Sequence, residues 1–188
     1  MADVDEWFAE TGGSYIVHAP PLAGTTSFVD AVGGTRDGET LLVAGRRGLE
    51  RLRREALSNV SFFVDCSPTE SGGTGSIASP ADLTGVSMPV SEFLRSVAEP
   101  TLVVDSVTTL LYYADEAAVF RFLSVLTAHI RRQDGLGLFL MTPPAHEEQT
   151  VHTFAQVFDG RIDVERRHDA RVIYGHDPEQ FERLCGSL

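Results

Sequence analysis

The strongest constraint on this chain is a set of short apolar runs that do not alternate with polar residues. They are Tyr15-Ile16-Val17, Leu41-Leu42-Val43, Val60-Ser61-Phe62-Phe63-Val64, Thr101-Leu102-Val103-Val104 and the run from Leu136 to Met141. A strand with one wet face alternates apolar and polar side chains. A continuous apolar strand is covered on both faces, which is the condition of a strand inside a parallel sheet. Parallel neighbours need crossover connections, and helical patterns stand between the runs. Val90, Phe93, Leu94 and Val97 form one stripe, with Pro89 placed near the first turn. Val119, Phe122, Leu123, Leu126 and Ile130 form the clearest stripe. Asp115 and Glu116 open that helix and Arg131 and Arg132 close it, as the helix dipole favours. Val151, Phe154, Ala155 and Phe158 form a third stripe, and Asp177-Pro178-Glu179-Gln180 reads as the start of a fourth helix ending at Gly186. Residues 161–165 and 171–174 read as an antiparallel hairpin at the sheet edge. Residues 67–87, rich in Gly, Ser, Thr and Pro, read as a flexible loop. Trp7, Phe8 and Tyr15 would pin the N-terminal segment to the core. These patterns predict a single α/β domain over residues 1–188 with a mainly parallel sheet.

Charge narrows the function. Aspartate and glutamate number 27 against 15 basic residues, every one of them arginine, for a net charge of -12. A nucleic-acid binder needs a clustered positive field, so that class is disfavoured. A chain without lysine has neither a Schiff-base amine nor a lysine to cradle phosphate. Acidic and lysine-free composition points to a salt-adapted source, since at molar salt the Debye length falls to about 3 Å and self-repulsion is screened. No apolar run reaches the length of a membrane span, and residues 1–10 are acidic rather than signal-like. Cys66 and Cys185 are too few for a disulfide framework or a four-thiolate metal site. The expected location is the cytoplasm.

The turn after the first strand reads Ala19-Pro20-Pro21-Leu22-Ala23-Gly24-Thr25-Thr26-Ser27. Set against the phosphate-loop pattern Gly-x4-Gly-Lys-Ser/Thr, Gly24 and Thr26 match, Ala19 replaces the first glycine and Thr25 replaces the lysine. The lysine is the serious loss, because it places a cation beside the phosphates where charge develops. No arginine precedes Arg36, so nothing adjacent in sequence replaces it. The fourth strand ends in Asp105-Ser106, and an apolar strand ending in aspartate is the arrangement that positions Mg²⁺ in such folds.

With those two pieces in order, the chain resembles the RecA/KaiC-type ATPase superfamily, and most of all the small KaiC-like proteins of haloarchaea. The likeness runs through residues 15–28, Ser79-Pro80-Ala81-Asp82-Leu83-Thr84-Gly85, residues 101–111 and residues 135–160, including Ala145-His146-Glu147-Glu148-Gln149-Thr150 and Val157-Phe158-Asp159-Gly160. It implies a RecA-like three-layer α/β/α core with ATP or ADP and Mg²⁺ at the C-terminal ends of the strands. Gly24, Thr25 and Thr26 would face phosphate and Asp105 would face the metal. The glutamate expected beyond the second strand is missing, because that stretch reads Ala44-Gly45-Arg46-Arg47. A missing phosphate cation and a missing water-activating base would each cost orders of magnitude in rate. The expectation is therefore a degenerate member that binds nucleotide weakly or not at all, with no catalytic residue. It would act as a regulatory or scaffolding module on another protein, a related RecA/KaiC-like subunit or a second copy. The alternative is an ATP-binding or ATP-hydrolysing enzyme completed by a neighbouring subunit.

Arg46, Arg47 and Arg51 are the candidate protein-binding residues, within a cluster that includes Arg53 and Arg54. They read either as a docking patch, or arginine finger, for a neighbour, or as a solvated helix face paired with Glu50 and Glu55. His146, Glu147, Glu148 and His152 have poor metal-ligand spacing, so no metal site is expected among them. Cys66 reads as a small buried residue rather than a nucleophile. Ser106 lacks the Gly-x-Ser-x-Gly turn of a hydrolase.

Overall fold

A computed structural model describes residues 4–20, 25–54, 57–68, 77–167 and 170–176. In chain order the elements are α1 (Val4–Glu10), β1 (Gly13–His18), α2 (Thr25–Gly33), β2 (Thr40–Ala44), α3 (Leu49–Arg54), β3 (Phe62–Asp65), α4 (Leu83–Ser96), β4 (Thr101–Asp105), α5 (Val107–Tyr113), α6 (Glu116–Arg132), β5 (Leu136–Met141), α7 (Glu148–Ala155), β6 (Gly160–Arg167) and β7 (Ala170–His176). The sheet order is β3-β2-β4-β5-β1-β6-β7. The first six strands in that order are parallel. β7 runs antiparallel to β6, with Val164 opposite Ile173.

Four of the five apolar strands, β1, β2, β4 and β5, are covered on both faces, whereas β3 lies at the sheet edge and leaves Phe62 46% exposed. Ile16, Leu41, Val43, Leu102, Val104, Phe139 and Met141 point to one face, where they meet Val86, Val90, Phe93 and Leu94 of α4, Leu110 of α5, Leu123 and Leu126 of α6 and Phe154 of α7. Tyr15, Val17, Leu42, Val103, Leu138 and Leu140 point to the other, against Phe8 of α1, Phe28, Val29 and Val32 of α2 and Leu52 of α3. The architecture is therefore helix, sheet, helix. Trp7, Phe8 and Tyr15 do pin the N-terminal segment. Phe8 is fully buried, and its ring meets Phe28 edge-on at 5.9 Å.

Helix ends follow local chemistry. Asp115 caps α6 by accepting from the amides of Ala117 and Ala118. α4 starts earlier than its stripe suggests. Asp82 accepts from the Gly85 amide at 2.8 Å and caps a helix that begins at Leu83. Pro89 thus lies inside α4 rather than in its first turn, and residues 83–87 of the expected loop are helical. The strong cap and the four buried side chains of α4 outweigh the hydrogen bond that the proline cannot donate. Residues 69–76 of that loop and the helix expected from Asp177 lie outside the described residues.

Helix sides decide where a crevice opens. The helices that follow β1 and β2 pack on one face of the sheet, and those that follow β4 and β5 pack on the other. β2 neighbours β4, and β5 neighbours β1. At both junctions the chain leaves adjacent strands in opposite directions. Such switch points part the loops at the carboxyl ends of the strands, where open α/β sheets hold their ligands.

Candidate functional site

Four strands bring polar residues to this edge. β1 leads into α2, whose first two residues are Thr25 and Thr26. β2 ends at Ala44 and turns through Gly45-Arg46-Arg47. β3 and β4 end in Asp65 and Asp105, which flank Ala44 on the same rung of the sheet. Both carboxylates are buried, at 5% and 6% exposure.

The β2–α3 turn is pressed against the end of β4. The amides of Gly45 and Arg46 both donate to the Asp105 carbonyl, the latter at 3.2 Å. A β-carbon on Gly45 would sit 3.3 Å from that carbonyl oxygen and 3.4 Å from the Ser106 nitrogen. Glycine here permits the close approach, and the approach aims the next side chain. The Arg46 guanidinium donates through Nη2 to Thr25 Oγ1 at 2.7 Å. The same nitrogen lies 3.3 and 3.4 Å from the two carboxylate oxygens of Asp105. Arg47 Nη1 donates to Thr26 Oγ1 at 3.1 Å.

These contacts correct one reading of the arginine cluster. Arg46 and Arg47 precede α3 and are not part of its solvated face. They reach across to the first turn of α2 in their own chain. Arg51 lies on α3 and is exposed. A cation therefore stands against the helix start at Thr25, carried there in space from the β2 turn 21 residues away. Sequence adjacency could not show this, although Gly45 followed by two arginines at a strand end was a usable signal. Asp65 carries the same local signal as Asp105, an aspartate that ends an apolar strand. Its Oδ1 accepts from the Ser67 amide at 3.0 Å. Gly24 lies outside the described residues, whereas Thr25, Thr26 and Asp105 are brought together.

The Mg²⁺ implied by the resemblance would need lone pairs on Asp105 and on the threonine hydroxyl at position 26. Asp105 faces the Arg46 guanidinium and Thr26 accepts from Arg47. A hard divalent cation cannot share that space with two guanidinium groups, so this arrangement does not fit a resident metal.

A second polar cluster forms where β4 and β5 end. Thr108 Oγ1 accepts from the Thr142 amide at 3.0 Å and lies 3.0 Å from His146 Nε2. The His146 ring stacks on Tyr112 with centroids 5.9 Å apart. Burial pushes the imidazole below the usual histidine range, opposed by the Glu116 carboxylate. Glu147 and Glu148 are exposed, and no metal-binding group of three or more ligand residues occurs among the described residues. Cys66 is fully buried, with Sγ 3.6 Å from the Ala44 carbonyl. Burial, aided by the Asp65 charge, pushes its thiol up to about 12, the opposite of an activated nucleophile. Ser106 caps α5, accepting from the Thr109 amide.

Comparison with protein families matches residues 15–164 to a family of unknown function, DUF7504. The chain belongs to that family. The family segment runs from β1 into β6 and so takes in every residue of the strand-end site: Thr25, Thr26, Arg46, Arg47, Asp65 and Asp105. A search of curated proteins gave no match.

Proposed function

We propose that this DUF7504 chain is a RecA/KaiC-like domain that has lost nucleotide hydrolysis. It acts as a regulatory or scaffolding module by binding another protein, a related RecA/KaiC-like subunit or a second copy. One observation carries the reading: Arg46 lies between Thr25 and Asp105, so a guanidinium of the chain itself stands between the helix start and the strand-end carboxylate. A hydrolase needs those groups for phosphate and metal, and a base for water. The position after β2 that would carry the base is occupied by the arginine turn. The switch-point topology supports a common origin with nucleotide-binding folds, and the side chains support the loss of their chemistry.

Isothermal titration with ATP and with ADP, each with Mg²⁺, in low and multimolar KCl tests the nucleotide half. Binding weaker than millimolar and no phosphate release are expected. Turnover that Asp105→Asn abolishes would overturn the reading in favour of an enzyme completed by its neighbour. Cross-linking and light scattering of the chain, alone and with RecA/KaiC-like proteins from the same cell, test the binding half. A strictly monomeric chain that captures none of them would overturn that half.

A further inference from the structure

We infer that the Arg46 guanidinium stands in the place of a divalent cation and closes the strand-end crevice to metal. The inference rests on the reading of this edge as a former nucleotide site, and it adds what now fills that site. One nitrogen, Arg46 Nη2, lies among three oxygens from two different elements, α2 and β4: Thr25 Oγ1 at 2.7 Å and the two Asp105 carboxylate oxygens at 3.3 and 3.4 Å. Oxygens gathered from a helix start and a strand-end carboxylate are the kind of set that a hard cation takes. Here a positive charge already sits inside it.

The placement is built into the backbone. The Gly45 and Arg46 amides converge on the Asp105 carbonyl, and Gly45 leaves no room for a β-carbon without displacement of that carbonyl. Asp105 is 9% exposed at its side chain and Arg46 is 34% exposed. The carboxylate is thus largely enclosed, while the guanidinium against it remains partly open to solvent. Arg47 holds Thr26 in the same way from the next position, so the hydroxyl that a metal would share is also engaged. A divalent ion entering this space would have to displace one fixed positive charge and lie beside another. Like charges at contact distance oppose this strongly where water is scarce.

Mn²⁺ with ADP is the probe, because a metal at a strand-end carboxylate draws its remaining ligands from phosphate. The electron paramagnetic resonance signal of Mn²⁺, compared with the same Mn²⁺–ADP mixture without protein, reads the binding without any turnover. The wild-type chain is expected to leave the Mn²⁺–ADP signal unchanged at millimolar metal. Arg46→Gln keeps a polar side chain and removes the charge. It is expected to bind Mn²⁺–ADP at least tenfold more tightly than wild type, and Arg46→Gln with Asp105→Asn is expected to lose that gain. Arg46→Met serves if the glutamine variant fails to fold by circular dichroism. Wild-type binding equal to that of the variant would overturn the inference. So would a folded variant that binds no metal, or a gain that survives Asp105→Asn. The outcome is separable from the proposed function, which stands or falls on wild-type turnover and on protein capture.

Discussion

The contact most open to measurement is the pair Arg46–Asp105. Arg46→Met keeps the aliphatic stem and removes the guanidinium. Asp105→Asn keeps the shape and removes the charge. At 3.3 Å the bare attraction is several kcal/mol even at an effective dielectric near 20, but it is offset by what both charges lost on leaving water. Exposed pairs retain only about 0.2–1 kcal/mol, and removal of one member of a buried pair costs about 3–5 kcal/mol. Here one end is buried and the other is one-third exposed. The expected coupling in a double-mutant cycle is therefore about 1.5 kcal/mol. For a chain of this size, each kcal/mol moves Tm by about 2–4 °C. Urea unfolding of wild type, both single variants and the double variant at pH 7 gives the cycle. Repetition at 1 M KCl should leave more than half of the coupling, because ions reach only one side of the pair. A coupling below about 0.3 kcal/mol, the usual additivity error, would mean that the guanidinium does not hold the carboxylate in solution. The account of the closed crevice would fall with it.

Three further expectations follow from packing and titration. Phe8→Ala should cost about 3–5 kcal/mol in urea unfolding, because a fully buried ring on Phe28 would be replaced by a cavity; a cost under about 1 kcal/mol would show that α1 is not part of the core. His146 has its pKa lowered by burial, so the unfolded chain binds more protons than the native one just below pH 6.5. Stability should therefore be fully present above that value and decline as pH falls towards the native pKa. His146→Asn should flatten this part of the profile, and an unchanged slope would refute the assignment. In a Cys185→Ser background, native Cys66 should resist a disulfide reagent at pH 8 and react only after unfolding, since its thiol is buried and pushed up to about 12. Rapid labelling of the folded chain would contradict that burial.

Much of the fold was legible because burial on both faces leaves a direct trace in sequence. Leu136 to Met141 is apolar throughout and is wholly buried as β5. The stripe from Val119 to Ile130, with acid before it and base after it, is α6. The start of α4 was harder to read, because Thr84, Gly85 and Ser87 resemble the loop before them in composition. Leu83 and Val86 extend the stripe towards the N-terminus, and the side-chain cap at Asp82 sets the start. At the site, the strand-end aspartate and the helix-start threonines were found from local pattern. Arg46 was assigned to a helix face or a neighbour, because charge clusters carry no direction in sequence.

The sequence by itself determined the class of fold, the two-sided burial of four of its strands and the lack of a lysine at the turn after β1, since each depends on residue type and local spacing. Only the tertiary structure decided which charge stands at the helix start after that turn. The strand order sets β2 beside β4, and Gly45 lets its turn lie against Asp105. That contact carries Arg46 onto a helix start 21 residues away, a meeting of loops that no spacing along the chain encodes.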